Sequence, residues 1–247
     1  KDKKIKKIYN APSGADESIP MGACFYLNRK KISYPLENLS LGMPMIQKNH
    51  SLKKILKENF KKNYKIKFNS NPREVAKLLI KNKIIALVNG REEFGARALG
   101  NRSIIANPSF YENIKKINSL IKSRDFWMPF ALTIRNENIN DFIKNPKNSR
   151  SDFMNLSFDT KEKNFKKILA GCHPYDRSVR PQFLRKTQNE KYYSIITEFG
   201  KLSKTYALLN TSLNLHGKPK SSDYKSVFYT FKNSGLKYLY IDNKILV

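Results

Sequence analysis

Ile84-Ile85-Ala86-Leu87-Val88-Asn89-Gly90-Arg91-Glu92-Glu93-Phe94-Gly95-Ala96-Arg97-Ala98-Leu99-Gly100-Asn101-Arg102-Ser103 takes the chain from an apolar run into a loop. The last fourteen of these residues hold three glycines and three arginines. Five consecutive apolar residues closed by Asn-Gly read as a strand buried on both faces. Upstream, Pro72 stands at a first helical position, and Val75, Leu78 and Leu79 form one apolar face through Asn82. Further upstream, Ser51 caps an expected helix to Lys62, and Tyr64–Phe68 reads as a short strand. Downstream, the pattern predicts a strand at Ser103–Ala106, a helix at Tyr111–Lys122, a strand at Phe130–Ile134 and a short helix at Ile139–Lys144. A helix at Glu190–Lys201, a strand at Tyr206–Leu209, a helix at Ser222–Asn233 and a strand-turn-strand ending at Tyr238–Val247 follow. Residues 11–23 are small and turn-forming, residues 30–50 read as a connector, and 145–188 as irregular with a basic helix at 162–169. Alternating strands and helices place the chain in the α/β or α+β class with a mixed sheet.

The chain has 247 residues, enough for one large domain or one domain plus a fragment, and 40% are hydrophobic. Its 48 Lys and Arg against 20 Asp and Glu give a net charge of +28. That excess suits nucleic acid, but the lysines recur along nearly the whole chain at helical-surface spacings (Lys53, Lys54, Lys57; Lys115, Lys116; Lys163, Lys166, Lys167). No basic tail or nucleic-acid motif accompanies them, so a solvated surface is the better reading. No apolar run reaches the roughly 18–20 residues of a membrane-spanning helix. Nothing resembles a secretory signal, and two cysteines, Cys24 and Cys172, make no disulfide framework, so a reducing, cytoplasmic setting is expected.

Chemistry concentrates in four segments. In Gly90–Ser103 the glycines let a backbone approach a ligand, and guanidinium forks suit phosphate or carboxylate. No Gly-Lys-Ser/Thr follows, so this is no Walker-type phosphate loop. Spacing alone leaves open a tight loop whose arginines pair with Glu92 and Glu93. Lys122 and Arg124 close a helix beside Trp127, where they could instead cap its carbonyls. His173–Gln182 packs donors into an irregular stretch, with His173 read as structural. Leu208-Leu209-Asn210-Thr211-Ser212-Leu213-Asn214 ends an apolar strand in polar residues that orient a ligand or shape a turn.

Together, Gly90–Ser103, Lys122–Ala131, Asp176–Gln182 and Leu208–Pro219 resemble, in order, four motifs of the ATP-dependent O-carbamoyltransferases, the family of nodulation-factor and antibiotic carbamoyltransferases. The resemblance runs from about residue 8 to the C-terminus. Ala96 stands where the family commonly has Pro, and Arg177-Ser178-Val179 replaces Gly-Thr-Ala. The resemblance implies a YrdC-like domain over 51–247, a mixed twisted sheet flanked by helices, that forms carbamoyladenylate from carbamoyl phosphate and ATP. Residues 1–50 would be the connector and the end of an N-terminal actin/sugar-kinase-like domain that passes the carbamoyl group to a hydroxyl acceptor. Arg97, Lys122, Arg124 and Arg180 are the implied catalytic cations; Arg91, Arg102, Ser103, Asn210, Ser212 and Asn214 the implied ATP or carbamoyl contacts. Mg2+ would accompany ATP. A divalent metal, Fe2+, would sit in the N-terminal domain with Asp16 as a ligand. Its histidine partners are absent, since His50, His173 and His216 lack the spacing, so the chain reads as part of a longer protein. The implied partners are these small molecules and the N-terminal domain, with a homodimer left open and neither membrane nor nucleic acid expected. Two alternatives remain: a threonylcarbamoyladenylate synthase-like protein of tRNA modification, and a nucleic-acid-binding module without catalysis.

Overall fold

A computed structural model of the chain describes residues 11–31, 36–45, 51–60, 64–125 and 127–247. In chain order the elements are α1 (Ser18–Leu27), α2 (Leu52–Phe60), β1 (Ile66–Lys67), α3 (Pro72–Ile80), β2 (Ile85–Val88), β3 (Arg102–Ala106), α4 (Glu112–Ile117), β4 (Ala131–Arg135), α5 (Ile139–Phe142), β5 (Pro181–Leu184), α6 (Glu190–Ser203), β6 (Ala207–Ser212), α7 (Tyr224–Lys232), β7 (Tyr238–Ile241) and β8 (Lys244–Leu246). His50 and the expected helical residues Lys61 and Lys62 lie outside the described residues.

Every residue of β2 is buried, as its unbroken apolar run predicts. Ile85 and Leu87 pack with Val75, Leu79, Ile195 and Phe199 from α3 and α6. Ala86 and Val88 join Phe60, Ile117 and Phe231 from α2, α4 and α7. Alternating side chains thus split one apolar strand between two cores, giving a three-layer α/β sandwich. The sheet has eight strands in the order β1-β8-β7-β2-β3-β6-β4-β5. β2 with β7 and β4 with β5 run parallel and the other neighbours antiparallel, the mixed sheet expected from the alternation of elements. α3 begins as its sequence predicts: Pro72 follows Asn71, whose side chain accepts from the Glu74 amide in a reciprocal capping box.

Four stretches differ from expectation. β5 lies in the segment read as irregular; its four residues are all buried, so no alternation marks it. The basic helix expected at 162–169 is a 3₁₀ stretch, Glu162–Lys167. Ser18–Leu27 is helical although rich in small residues, and none of its side chains is buried. The connector is not loose: Leu39 and Met45 are buried, and Arg91 donates to the carbonyls of Gly42 (2.7 Å) and Leu41 (3.0 Å).

Candidate active site

Strand register brings the four chemically rich segments to one end of the sheet. Val88, the end of β2, pairs with Arg102 at the start of β3, and Ser103 pairs with Ser212 at the end of β6. Asn210 of β6 pairs with Ala131 at the start of β4, and Leu132 pairs with Pro181 at the start of β5. The loop before β3 therefore carries Arg97, the turn before β4 carries Lys122 and Arg124, the residue before β5 is Arg180, and the exit of β6 carries Ser212 and Asn214.

α4 does not run straight into that turn. It passes into a π-helical turn, Asn118–Lys122, closed by Ser123 in the left-handed region (φ 46°). Such turns rotate a side chain off the helical register. Lys122 is consequently only 2% exposed, and its Nζ donates to Asn214 Oδ1 (2.6 Å) and Ser212 Oγ (3.0 Å) rather than capping helix carbonyls. His216 Nδ1 lies 2.7 Å from the Lys122 carbonyl oxygen. Burial, with the Arg124 charge adding to it, pushes the Lys122 ammonium down to about 7.

Arg97, Arg124 and Arg180 share that field. Burial and the neighbouring Arg97 charge lower Arg124; burial and the charges of Arg97 and Arg124 lower Arg180. Arg124 also lies 5.6 Å from the Phe130 ring, and the Nε of Arg180 is buried without a hydrogen-bond partner. Other arginines hold carboxylates: Arg150 and Arg185 on Asp152, Arg177 on Glu162, Arg135 on Glu137. Among the described residues no ion pair neutralises the four site cations; Glu17 feels Arg97, but its carboxyl is lowered mainly by the Ser13 hydroxyl. Two open clefts flank the cluster. One, about 390 Å³, is lined by Arg124, Phe130, His173, Ser178 and Arg180; the other, about 500 Å³, by Glu92, Phe94, Gly95, Ser212, Asn214 and Lys220. Uncompensated cations beside clefts of this size suit a compact polyanion.

The remaining candidate residues build the loop rather than face a cleft. Arg102 is fully buried, and its guanidinium is consumed by the carbonyls of Asn89, Gly90, Asn101 and Ser222 at 2.9–3.2 Å, so it is a structural staple and not a ligand contact. Arg91 is committed to the 41–42 backbone. Ser103 Oγ accepts from the Gly100 amide (3.0 Å). Asn210 lies within β6 rather than beyond its end; its amide nitrogen donates to Ala98 O (3.1 Å) and Thr133 Oγ1 (3.0 Å), and its Oδ1 is buried without a partner. Gly100 has φ 104°, and a Cβ there would meet the Tyr192 ring at 2.2 Å, so only glycine fits. Asp16 is exposed in the turn before α1, and no group of three or more His, Cys, Asp or Glu residues gathers around it or elsewhere among the described residues. The residues described here do not amount to a metal site.

One structuring residue differs from the sequence reading in its partners and a second, Lys220, is not part of it. Glu93 does not pair with arginine: its Oε1 accepts from the amides of Leu99 (2.7 Å), Asn101 (3.0 Å) and Arg102 (3.2 Å). Lys220 reaches the same loop from beyond β6. Nothing in sequence distinguishes it from the many surface lysines.

The site is thus a cluster of four cations, without an ion pair among the described residues, at one strand end of a three-layer α/β unit. Residues 76–247 match the family model described as Carbamoyltransferase C-terminus, and the chain belongs to the carbamoyltransferase family as its C-terminal part. It is 36% identical over 252 residues to an uncharacterized protein of Methanocaldococcus jannaschii, covering 98% of this chain and 47% of that protein. It is 35% identical over 154 residues to nodulation protein NolO of Bradyrhizobium diazoefficiens, covering 62% of this chain and 28% of that protein. The chain thus spans about half, or less, of the length of these relatives. HypF of T. kodakarensis overlaps 74% of this chain and 22% of its own, with 17% identity and a TM-score of 0.44.

Proposed function

We propose that residues 51–247 are the YrdC-like, carbamoyladenylate-forming unit of an ATP-dependent O-carbamoyltransferase. The observation that carries this reading is the convergence of Arg97, Lys122, Arg124 and Arg180 with no acidic partner among the described residues. In this reading carbamoyl phosphate is hydrolysed to carbamate and phosphate. A carbamate oxygen then bonds to the α-phosphorus of ATP, and pyrophosphate leaves. Charge builds on the phosphoryl oxygens during that exchange, and fixed cations that need no reorganisation stabilise it. Arg124 and Arg180 hold the phosphate groups, Arg97 closes over them, and Lys122, fixed by Ser212 and Asn214, supplies an ammonium at the strand end. An approaching anion restores the charge that burial removes from Lys122, so the site strengthens as it fills. Mg2+ accompanies ATP as its counter-ion. Arg91, Arg102, Ser103 and Asn210 shape the loop. The N-terminal domain, to which Asp16 and residues 1–50 would belong, transfers the carbamoyl group to a hydroxyl acceptor.

The test is exchange of labelled pyrophosphate into ATP by this chain. Exchange that depends on carbamoyl phosphate is expected. Exchange that depends on L-threonine instead would assign the protein to tRNA modification, and no exchange with either, despite a folded chain, would refute adenylate formation.

A further inference from the structure

We infer that Lys220, outside every recognised motif, is a positioning residue that sets the place of Arg97; the inference rests on the anion-site reading above. Lys220 has a side chain only 9% exposed, and its Nζ donates to the carbonyl oxygens of Glu93 (2.6 Å), Gly95 (3.0 Å) and Arg97 (3.4 Å). It also lies 3.8 Å from Glu93 Oε2 and 4.0 Å from Glu92 Oε1. Glu93 gathers three loop amides from within, so the two side chains together take up the inward polar groups on both sides of Arg97. Arg91 and the Phe94 amide, which donates to the Leu39 carbonyl (2.7 Å), hold the loop at its start, and Lys220 is the side chain that reaches the carbonyl of Arg97 itself. Lys220 belongs to the segment that leaves β6 through Ser212 and Asn214, the partners of Lys122. It therefore ties the Arg97 loop to the Lys122 side of the site across 123 residues of sequence. Three directed hydrogen bonds to successive alternate carbonyls curve the 93–97 backbone around one ammonium. A neutral apolar side chain there leaves the carbonyls and the Glu93 carboxylate unmatched. Burial lowers the Lys220 ammonium while Glu93 and Glu92 hold it up, consistent with a charge kept in place by this pair.

The experiment is a double-mutant cycle read by calorimetric ATP titration, with thermal unfolding to correct for the folded fraction. Lys220→Met is expected to weaken ATP binding about tenfold when Arg97 is present and less than twofold in the Arg97→Ala background. Lys220→Gln, which keeps two N–H donors, should show the same non-additivity with a smaller loss, and it replaces Lys220→Met if that variant does not fold. Equal losses in both backgrounds would overturn the positioning role while leaving the anion site intact. An Arg97→Ala variant that binds ATP as well as the wild type would instead refute the site assignment itself.

Discussion

Two clusters of arginine lie at opposite ends of β5, whose first residue follows Arg180 and whose last precedes Arg185, and they are used in opposite ways. Arg150 and Arg185 converge on Asp152, whose carboxylate is 5% exposed and accepts from both guanidinium groups at 2.5–3.2 Å. Arg97, Arg124 and Arg180, with Lys122, converge on no carboxylate among the described residues. The first cluster is complete within the protein and fastens the long excursion between α5 and β5 to the end of β5. The second has no such partner: Lys122, Arg124 and Arg180 are drawn together by burial and the surrounding sheet, with Arg97 exposed beside them, and like charges so placed repel unless an anion is bound. Cation clustering alone therefore does not separate the two; the presence or absence of an internal counter-charge does.

The largest expected effect falls on the incomplete cluster. Arg97→Ala, Lys122→Ala and Arg180→Ala should each lower pyrophosphate exchange by about 10²–10³-fold, the usual loss for one transition-state donor, with little loss of melting temperature. In the complete cluster the pattern should invert: Asp152→Ala should cost about 1.5–3 kcal/mol in denaturant unfolding, the range for hydrogen bonds to a charged group. ATP affinity of its folded fraction should stay unchanged. A third experiment isolates the buried charge. Lys122 has a folded value of about 7 against an unfolded value of 10.5, so between those values the unfolded chain holds a proton that the folded chain lacks. Wild-type stability relative to Lys122→Met should therefore rise with pH from 7 towards 10.5, by at most about 1.4 kcal/mol per pH unit, and should be flat below 7. A difference that stays flat across that window would mean that Lys122 stays charged in the folded chain. The smallest effect belongs to Lys115→Ala and Lys166→Ala, on exposed positions, which should stay within about 0.5 kcal/mol of wild type and keep full exchange.

The contrast between the clusters also explains what the sequence could reveal. β2 was legible because Ile84–Val88 is apolar without a break, and α3 because Pro72 and its capping residues carry local signals. β5 was not, since Pro181-Gln182-Phe183-Leu184 is short and buried on both faces, with Gln182 satisfied by Thr133 and the Leu99 carbonyl. Arg97, Lys122, Arg124 and Arg180 were identified as candidates from the motif resemblance, yet their convergence depends on the order β3-β6-β4-β5, a property of sheet topology that no local pattern encodes. Arg102 illustrates the reverse. Five residues from Arg97 in the same motif, it is buried and bonded to backbone, and residue type alone cannot separate the two. Lys220 was invisible for the same reason, one lysine among a uniformly basic surface.

Calorimetric titration of ATP, at fixed salt, into the wild-type chain and into Arg124→Ala/Arg180→Ala tests the central claim most directly, with Arg185→Ala as the paired-arginine control. Two charge-assisted contacts are removed in the double variant, so affinity should fall by at least about 100-fold, while Arg185→Ala binds as the wild type does. Equal affinity in the wild type and the double variant would contradict the claim that the unpaired cations are the anion site.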